Sequence, residues 1–373
     1  MVPTSRPGAS NPSPGAGETG PPTRSDPETA VRLSSEKLRL ELEYPFTISR
    51  STRDSETVVW VRIEAEGLEG WGEADPSAFY GESAETVIDA LEAYRSVIEG
   101  ANEPVRPESI ERLERGLEAR LSGNGSARAA ISAALHDLQG KILGRPLWML
   151  WGLEPADAPL SSFTIGIDEP EVVAEKVRRA HEYPILKIKV GTDRDEEILE
   201  IVRSEAPEAV LRVDANAAWS AEEALARLPL LADYGVEFVE QPLPPTDREG
   251  LRKVFEGSPL PIILDESSIV SSDIPGLVGR AHGINIKLAK CGGPREALRM
   301  IHTARACGLK VMLGCMIESS LGIAPAAHLS PLVDYADLDG AALLKSDPFE
   351  GPHLEGARIV LGDEPGLGVS LQQ

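Results

Sequence analysis

Two lysines share one face of a short apolar segment in this 373-residue chain. Residues 185–190 are bounded by Pro184 and Gly191, a pattern typical of a buried strand. Because side chains alternate along a strand, Lys187 and Lys189 point to the same side. A solvated lysine face on an edge strand would explain the pair, whereas burial would require a partner of opposite charge for each ammonium group.

Acidic residues follow this segment at regular intervals. Asp214, Glu240 and Asp265 each end a short apolar run, and Lys287 ends the next one. The intervals are 26, 25 and 22 residues, about the length of one strand–loop–helix unit. In a parallel (β/α) barrel the carboxyl ends of the strands meet at one mouth. The spacing therefore predicts that these charged side chains come together there.

Three carboxylates without an imidazole or a thiolate indicate a site for a hard cation. Mg²⁺ prefers oxygen ligands, which Asp214, Glu240 and Asp265 would supply together with substrate oxygens and water. An acidic residue after a strand can also cap the next helix, and Asp214 or Asp265 taken singly would fit that role. Their occurrence at three successive strand ends favours the metal site.

Lysines beside a divalent cation indicate proton transfer at carbon. The cation would favour the neutral amine of a nearby lysine and would take up the charge of an enolate formed from a carboxylate substrate. Lys189 in the second strand and Lys287 in the sixth would lie on opposite sides of an eight-stranded barrel. Bases on both faces of one α-carbon are what a 1,1-proton transfer requires.

The elements that must position these residues alternate strictly from residue 161 onward. We predict an α/β fold, a modified TIM barrel of the type (β/α)7β, over residues 159–344. Helical periodicity fills the gaps between strands, as in residues 294–308, where Gly308 ends the helix. The predicted strands are 161–167, 185–190, 210–214, 236–240, 261–265, 284–288, 310–314 and 334–338.

The chain before the barrel has a different pattern, strands followed by helices, which predicts an α+β capping domain at residues 37–158. We expect residues 345–373 to complete this domain, and residues 1–36, rich in Pro, Gly, Ser and Thr, to be a disordered tail. The predicted strands are 38–42, 58–63 and 70–73, the helices 83–98, 110–121 and 127–142, and the loops facing the barrel 45–53 and 76–82.

Composition argues against several classes of function. The net charge of −23 argues against nucleic acid and anionic membrane surfaces as partners, and no apolar run is long enough to span a membrane. The three cysteines form neither a CxxC pair nor an even disulfide framework, and there is no apolar signal segment, so we expect a cytoplasmic protein. The six histidines form no HxxxH pair, which argues against zinc.

These motifs resemble the muconate-lactonizing subgroup of the enolase superfamily, from about Leu38 to the end of the chain. The resemblance implies that Asp214, Glu240 and Asp265 bind Mg²⁺. It also implies that Lys189 and Lys287 are the acid/base pair and that Lys187 contacts the substrate carboxylate. Enolase-superfamily sites are a standard example of a lysine base paired with Mg²⁺. The motifs that carry the resemblance are Lys187-Ile-Lys189, Asp214-Ala-Asn216, Glu240-Gln-Pro242, Asp265-Glu-Ser267, Asn285-Ile-Lys287-Leu-Ala-Lys-Cys-Gly-Gly293, Gly72-Glu-Ala74 and Asp137-Leu-Gln-Gly-Lys141.

Within that subgroup, Asp337 and Asp339 at the end of the eighth strand distinguish among reactions. They share one face of the strand and would hold a substrate ammonium group, as the same Asp-x-Asp does in dipeptide epimerases such as L-Ala-D/L-Glu epimerase. A loop-capping pair is the alternative. Four further positions resemble substrate contacts of these enzymes, although Cys315 could equally be a packing residue; they are Thr164, Cys315, Met316 and Ile317.

The substrate therefore is expected to be a small molecule, a dipeptide, whose side chain meets the capping domain. Arg50 or Arg53 would bind a distal carboxylate, whereas Glu82 would favour a cationic or polar side chain. Three other functions stay open: an N-acylamino acid racemase, a muconate cycloisomerase or o-succinylbenzoate synthase, and a non-catalytic binding protein. The oligomeric state is also open, with a homo-oligomer among the outcomes.

Overall fold

A computed structural model describes residues 31–100 and 106–372. The N-terminal part begins with a three-stranded antiparallel sheet in the order β1, β2, β3. Alternate residues of the central strand, Val59, Val61 and Ile63, are buried, as expected for a sheet with one face on the core. The elements are β1 (Arg32–Ile48), β2 (Ser51–Ala65), β3 (Leu68–Ala74), α1 (Ala84–Ile98), α2 (Ile110–Arg120), α3 (Gly125–Leu143) and α4 (Leu147–Leu150).

Two glycines of β3 allow the sheet to lie directly on α3. A Cβ atom at Gly70 would come within 2.0 Å of the carbonyl oxygen of Ala134, and one at Gly72 within 2.1 Å of that of Ala130. No side chain larger than hydrogen fits at these distances, so glycine is required at both positions. This close packing fixes the end of β3, and with it the residues that follow toward the barrel.

The segment predicted as a loop at residues 45–53 is the tip of a β-hairpin, so that prediction was wrong. β1 and β2 stay paired out to Ile48 and Ser51, and only two residues form the turn. A register shift between Glu41 and Phe46 interrupts the ladder, and such irregularities bend a hairpin. β1 also begins inside the predicted disordered tail of residues 1–36; residues 1–30 of that prediction lie outside the described part of the chain.

Eight parallel strands, each hydrogen-bonded to its neighbour in chain order, form the second part of the structure. The amide of Ser162 donates to the carbonyl of Ala336 at 3.0 Å, and Ser161 bridges to the same residue, which brings the first and last strands together. The predicted barrel is confirmed. Its strands are β4 (Phe163–Ile165), β5 (Ile185–Lys189), β6 (Val210–Asp214), β7 (Val236–Glu240), β8 (Ile262–Leu264), β9 (Gly283–Lys287), β10 (Lys310–Gly314) and β11 (Tyr335–Asp337).

Helices fill the gaps between these strands, with one exception. Between β8 and β9 the chain forms a 3₁₀ segment, Ser271–Leu277, in place of the regular helix that alternation predicts. Pro275 lies inside this segment, and because proline lacks an N–H it would remove one hydrogen bond from an α-helical ladder here. The helices are α5 (Pro170–Arg179), α6 (Asp195–Glu205), α7 (Ala221–Asp233), α8 (Arg248–Gly257), α9 (Leu288–Cys291), α10 (Pro294–Ala306) and α11 (Ser320–Leu329).

Alternation along the barrel strands separates apolar from charged side chains. In β5, Leu186 and Ile188 belong to the apolar core, so Lys187 and Lys189 face the barrel interior. Below the strand ends, a separate cluster of buried apolar side chains fills that interior, as the side-chain layers of such barrels do. Its members are Phe238, Ile263, Met312 and the partly buried Tyr335.

The C-terminal segment packs on the capping domain. The carboxylate of Asp137 in α3 accepts hydrogen bonds from the amides of Leu367 (2.8 Å) and Trp71 (2.9 Å), which ties the segment to β3. Phe349 contacts Trp60 edge-on at 5.4 Å between ring centroids. Among the described residues, no helix is long and apolar enough to cross a membrane.

Candidate active site

The charged residues predicted to meet at the barrel mouth do so because neighbouring strands are in register. Lys189 pairs with Asp214 across β5 and β6, and Asp214 pairs with Glu240 across β6 and β7. Asp265 follows β8 directly, and Lys287 ends β9. All five side chains are buried. The alternative of a solvated lysine face therefore does not apply.

Lys187 lies at the centre of this charged layer and is 1% exposed. Its Nζ contacts carboxylates of three different strands: Glu240 at 2.7 Å, Asp337 at 2.8 Å and Asp214 at 3.1 Å. Burial alone would lower the pKa of Lys187, but these carboxylates outweigh burial and raise the pKa well above its usual value. Lys187 is therefore a fixed cation that holds the carboxylates in place.

Lys189 and Lys287 approach the mouth from strands on opposite sides of the barrel. Lys189 Nζ contacts Asp214 at 2.7 Å, and Lys287 Nζ contacts Asp265 at 2.8 Å. Burial opposes the charge of Lys287, yet Asp265 and the neighbouring acids outweigh it and raise its pKa. Both lysines line the same cavity. The arrangement can place two amines on opposite faces of one bound carbon atom.

The donor set at the strand ends fits a hard divalent cation. Asp214, Glu240 and Asp265 supply only oxygen, the ligand type that Mg²⁺ prefers, and the buried Oε2 atom of Glu240 is held 2.7 Å from the Lys187 ammonium group. Burial, and after it the charge of Asp214, raise the pKa of Glu240 to about 7, and a cation bound beside Glu240 would favour its charged form. Within residues 31–100 and 106–372 no three acidic, histidine or cysteine side chains converge as a metal cage, because these oxygens point to ammonium groups.

Lys290 and Asn285 support two of these carboxylates. Lys290 Nζ, which is fully buried, contacts the Asp265 carboxylate and donates to the Asp265 carbonyl at 2.7 Å. Burial alone would raise the pKa of Asp265, but Lys287 and Lys290 lower it below its usual value. The amide of Asn285 donates to Glu240 Oε1 at 2.8 Å, while the other oxygen of Glu240 contacts Lys187 Nζ at 2.7 Å.

The two aspartates after β11 have different partners. Asp337 accepts from Ser162 Oγ at 2.6 Å and pairs with Lys187, whereas Asp339 accepts from the amide of Thr164 at 2.6 Å. Burial and the nearby Asp337 raise the pKa of Asp339 to about 7. Both are nearly fully buried and line the cavity, so Asp339 is a carboxyl group that a cation would stabilise. Cys315 Sγ lies 4.0 Å from Asp339.

These side chains line a cavity of about 380 Å³ between the barrel mouth and the capping domain. A larger cavity of about 1040 Å³ lies beneath the C-terminal segment, but none of the charged residues of the barrel mouth line it. We call the barrel side of the smaller cavity the floor; it consists of Thr164, Lys187, Lys189, Asn216, Lys287, Cys315, Met316, Ile317, Asp337, Asp339 and Leu343, with the carboxylates of Asp214, Glu240 and Asp265 beside the lysines. We call the capping side the roof; it consists of Phe46, Ile48, Arg50, Ser51, Arg53, Asp75, Ser77, Ala78 and Phe79.

Arg50 and Arg53 both line the roof, but each already has a protein partner. Arg50 donates to the carbonyl of Asn216 at 2.7 Å and pairs with the buried Glu266 at 2.9 Å, so it ties roof to floor. Arg53 pairs with Glu56. Glu82, which was expected near the substrate, instead accepts from Ser126 at the start of α3, and it does not line the cavity.

Four residues that contribute to this site were given no role by the sequence. Ser162, Asn285 and Lys290 hold carboxylates, and their signal is weak because single polar residues near strands usually have ordinary structural roles. Asp75 lines the roof although it follows a strand of the capping domain. Its proximity to the barrel depends on the packing of two domains, which no spacing in the chain encodes.

Comparison with protein families matches both parts of the chain. Residues 171–373 match the enolase C-terminal domain-like family, and residues 30–152 match the N-terminal domain of mandelate racemase and muconate lactonizing enzyme. The chain belongs to this enolase-superfamily family. The resemblance inferred from the strand-end motifs is confirmed.

Relatives within the family are epimerases, and the chain is accordingly an isomerase of this enzyme group. It is 43% identical to an L-Ala-D/L-amino acid epimerase from a Maribacter species, over 92% of this chain and all of that protein. The crystal structure of a dipeptide epimerase from Enterococcus faecalis, complexed with Mg and L-Leu-L-Tyr, is 35% identical, with a TM-score of 0.86 over 92% of this chain and all of the other. An N-succinyl Arg/Lys racemase from Bacillus cereus is also similar, at 28% identity and a TM-score of 0.86 over 92% and 95% of the chains.

Proposed function

We propose that this protein is a Mg²⁺-dependent dipeptide epimerase that inverts one amino-acid α-carbon by 1,1-proton transfer. The observation that carries the proposal is the shared cavity: Lys189 and Lys287, from opposite strands, line it together with Asp337 and Asp339. The lysines supply the proton chemistry, and the aspartates supply a site for the free amino group that distinguishes a dipeptide from an acylated amino acid.

The floor residues divide the reaction between two faces of the substrate. One lysine, as the neutral amine, takes the α-proton from its face, and the other, as the ammonium ion, returns a proton to the opposite face. The α-carbon inverts, and the two lysines exchange protonation states. Because the reverse reaction uses the same groups in the opposite roles, both epimers are substrates.

Asp214, Glu240 and Asp265 are the residues that would hold Mg²⁺ in this proposal. When bound there, the ion supplies Lewis-acid stabilisation for the negative charge that develops on the substrate carboxylate as the α-proton leaves. Lys187, a fixed cation beside the same carboxylates, orients the substrate carboxylate from the other side. Buried charges at fixed positions stabilise developing charge better than water does, because they need no reorganisation.

An N-acylamino acid racemase is the second candidate, since the family relatives include an N-succinyl racemase. Muconate cycloisomerase and o-succinylbenzoate synthase reactions also use such floors. The two buried aspartates favour the dipeptide, because the substrates of the alternatives carry no free α-amino group to pair with them.

The proposal is tested by incubating the protein and Mg²⁺ with a library of dipeptides in D₂O and following mass by mass spectrometry. A dipeptide substrate gains one mass unit at one α-carbon and appears as two epimers. N-acetylated and N-succinylated amino acids serve as the comparison set. If only acylated amino acids incorporate deuterium, the protein is a racemase of acylated substrates and the proposal is wrong.

A further inference from the structure

Asp75 is a buried carboxyl group in the roof that lacks a hydrogen-bonding partner. It is 4% exposed, it lines the cavity, and its Oδ1 atom has no hydrogen-bond partner. Leaving a buried polar atom unpaired costs stability, so such an atom in a cavity wall requires an explanation. The roles proposed for the floor residues do not supply one.

A comparison with Glu73 shows that Asp75 does not have a structural role of the usual kind. Glu73 lies two residues earlier on the same face of the chain and is also buried. It accepts from the amide of Ser319 at 2.9 Å and from the hydroxyl of the same residue, and so joins the capping sheet to the barrel. Asp75 has no such bonds.

The charges around Asp75 are mainly negative. Burial, and after it the charges of Glu56 and Glu318, raise the pKa of Asp75 well above its usual value. Arg53 offsets only part of this shift in the pKa of Asp75, because its guanidinium group pairs with Glu56, and Arg50 pairs with Glu266. This part of the roof therefore favours a hydrogen-bond donor or a positive charge that comes from outside the protein.

The floor determines which part of a substrate reaches Asp75. In the proposed reaction the α-carbon of the dipeptide lies between Lys189 and Lys287. Its ammonium group lies at Asp337 and Asp339, so both groups contact the floor. The side chain of the residue that is epimerised then extends toward the roof. We infer that Asp75 binds this side chain and selects dipeptides whose epimerised residue is cationic, of the lysine or arginine class.

This inference rests on the proposed function and adds the substrate class to it. A charge-assisted hydrogen bond to a buried carboxylate is among the stronger contacts that a protein makes. Its loss is expected to reduce kcat/KM about tenfold or more. The same cavity wall would repel a glutamate side chain.

The experiment compares L-Ala-L-Lys with L-Ala-L-norleucine, which has the same chain without the ammonium group, and with L-Ala-L-Glu. Deuterium exchange at the α-carbon gives kcat/KM for each. We expect wild type to prefer L-Ala-L-Lys over L-Ala-L-norleucine by about tenfold or more. Asp75→Asn and Asp75→Ala should abolish that preference and leave L-Ala-L-norleucine within about twofold of the wild-type value.

Asp54→Asn is the matched control, because Asp54 carries the same charge in β2 of the same sheet but is exposed, lies outside the cavity lining and accepts from Ser55. This variant should keep the preference for L-Ala-L-Lys. A wild-type preference for L-Ala-L-Glu, or an equal loss on all three dipeptides in both Asp75 variants, would overturn the assignment of Asp75 while dipeptide epimerisation stands. If wild type exchanges no dipeptide at all, the proposed function fails and this inference fails with it.

Discussion

The charged groups in the floor of the cavity and those in the roof differ in how fully they are paired. In the floor, Lys187, Lys189 and Lys287 each lie within about 3 Å of a carboxylate, and Lys290 also contacts Asp265. In the roof, Asp75 has no hydrogen bond at Oδ1, and the guanidinium group of Arg50 lies over the ring of Phe79 at 4.5 Å from its centroid. The floor is suited to chemistry that needs fixed charges, whereas the roof leaves interactions open for a substrate to complete.

Removing the metal should have the largest effect. Treatment with EDTA should abolish exchange, and Mg²⁺ should restore it, because the three floor carboxylates would stabilise charge on the substrate only through the ion. Asp265→Asn should reproduce the loss even with Mg²⁺ present. Glu237→Gln is the control, since Glu237 lies on β7 but pairs with Arg212 outside the cavity. Full activity of metal-free protein would show that the floor carboxylates are only structural.

Replacing either lysine should reduce epimerisation by about 10³-fold, within the range for loss of a general acid or base. Lys189→Met and Lys287→Met should each still exchange the α-proton of one epimer with D₂O, and the two variants should serve different epimers. The measurement is deuterium incorporation from each pure epimer. If one variant exchanges both epimers equally, the lysines do not act on opposite faces.

Neutralising Asp337 and Asp339 should reduce kcat/KM for free dipeptides by about 10²-fold, because the buried ammonium group of the substrate would lose its counter-charges. The double variant to asparagine should still bind Mg²⁺. N-acetylation of the dipeptide should lower kcat/KM of wild type by a similar factor and should matter less in the variant. A wild-type enzyme that prefers the acetylated compound would indicate an N-acylamino acid racemase.

Arg50 connects the two regions, so its replacement should have the smallest of these effects. Arg50→Met removes the bond to the Asn216 carbonyl and the partner of Glu266, and about a tenfold increase in KM is expected as the hairpin loses its anchor. Arg50→Lys keeps the charge and should recover part of the loss. A fall in kcat as large as that expected for the lysine variants would indicate that Arg50 takes part in the proton transfer instead.

The sequence predicted the floor well because a repeated unit encodes it. Strands β6, β7 and β9 end with Asp214, Glu240 and Lys287, so these residues could be located by interval alone. The contacts of Lys187 with three carboxylates were not predicted, because two of these carboxylates lie on strands that do not neighbour β5.

The roof could not be predicted in the same way. The sequence around the hairpin at Ile48 and Ser51 predicts a loop, because Pro45 and the polar residues after it show no apolar alternation. The strands there are paired by backbone hydrogen bonds, which leave no pattern in the side chains. Asp75 was missed because its place in the cavity depends on how β3 packs on α3 and how the capping domain meets the barrel. These contacts join residues that are distant in the chain and share no periodic pattern.

The packing of Gly70 and Gly72 against α3 has a consequence for how this enzyme can change over generations. The direct backbone contact between β3 and α3 fixes the position of the end of β3, and Asp75 is the next residue in the chain. A point mutation of Asp75 would change the chemical group that lines the cavity without changing the contact between β3 and α3. If Asp75 contacts the substrate side chain as inferred, a lineage with this architecture can change its preferred dipeptide by one substitution there, while Gly70 and Gly72 must stay glycine.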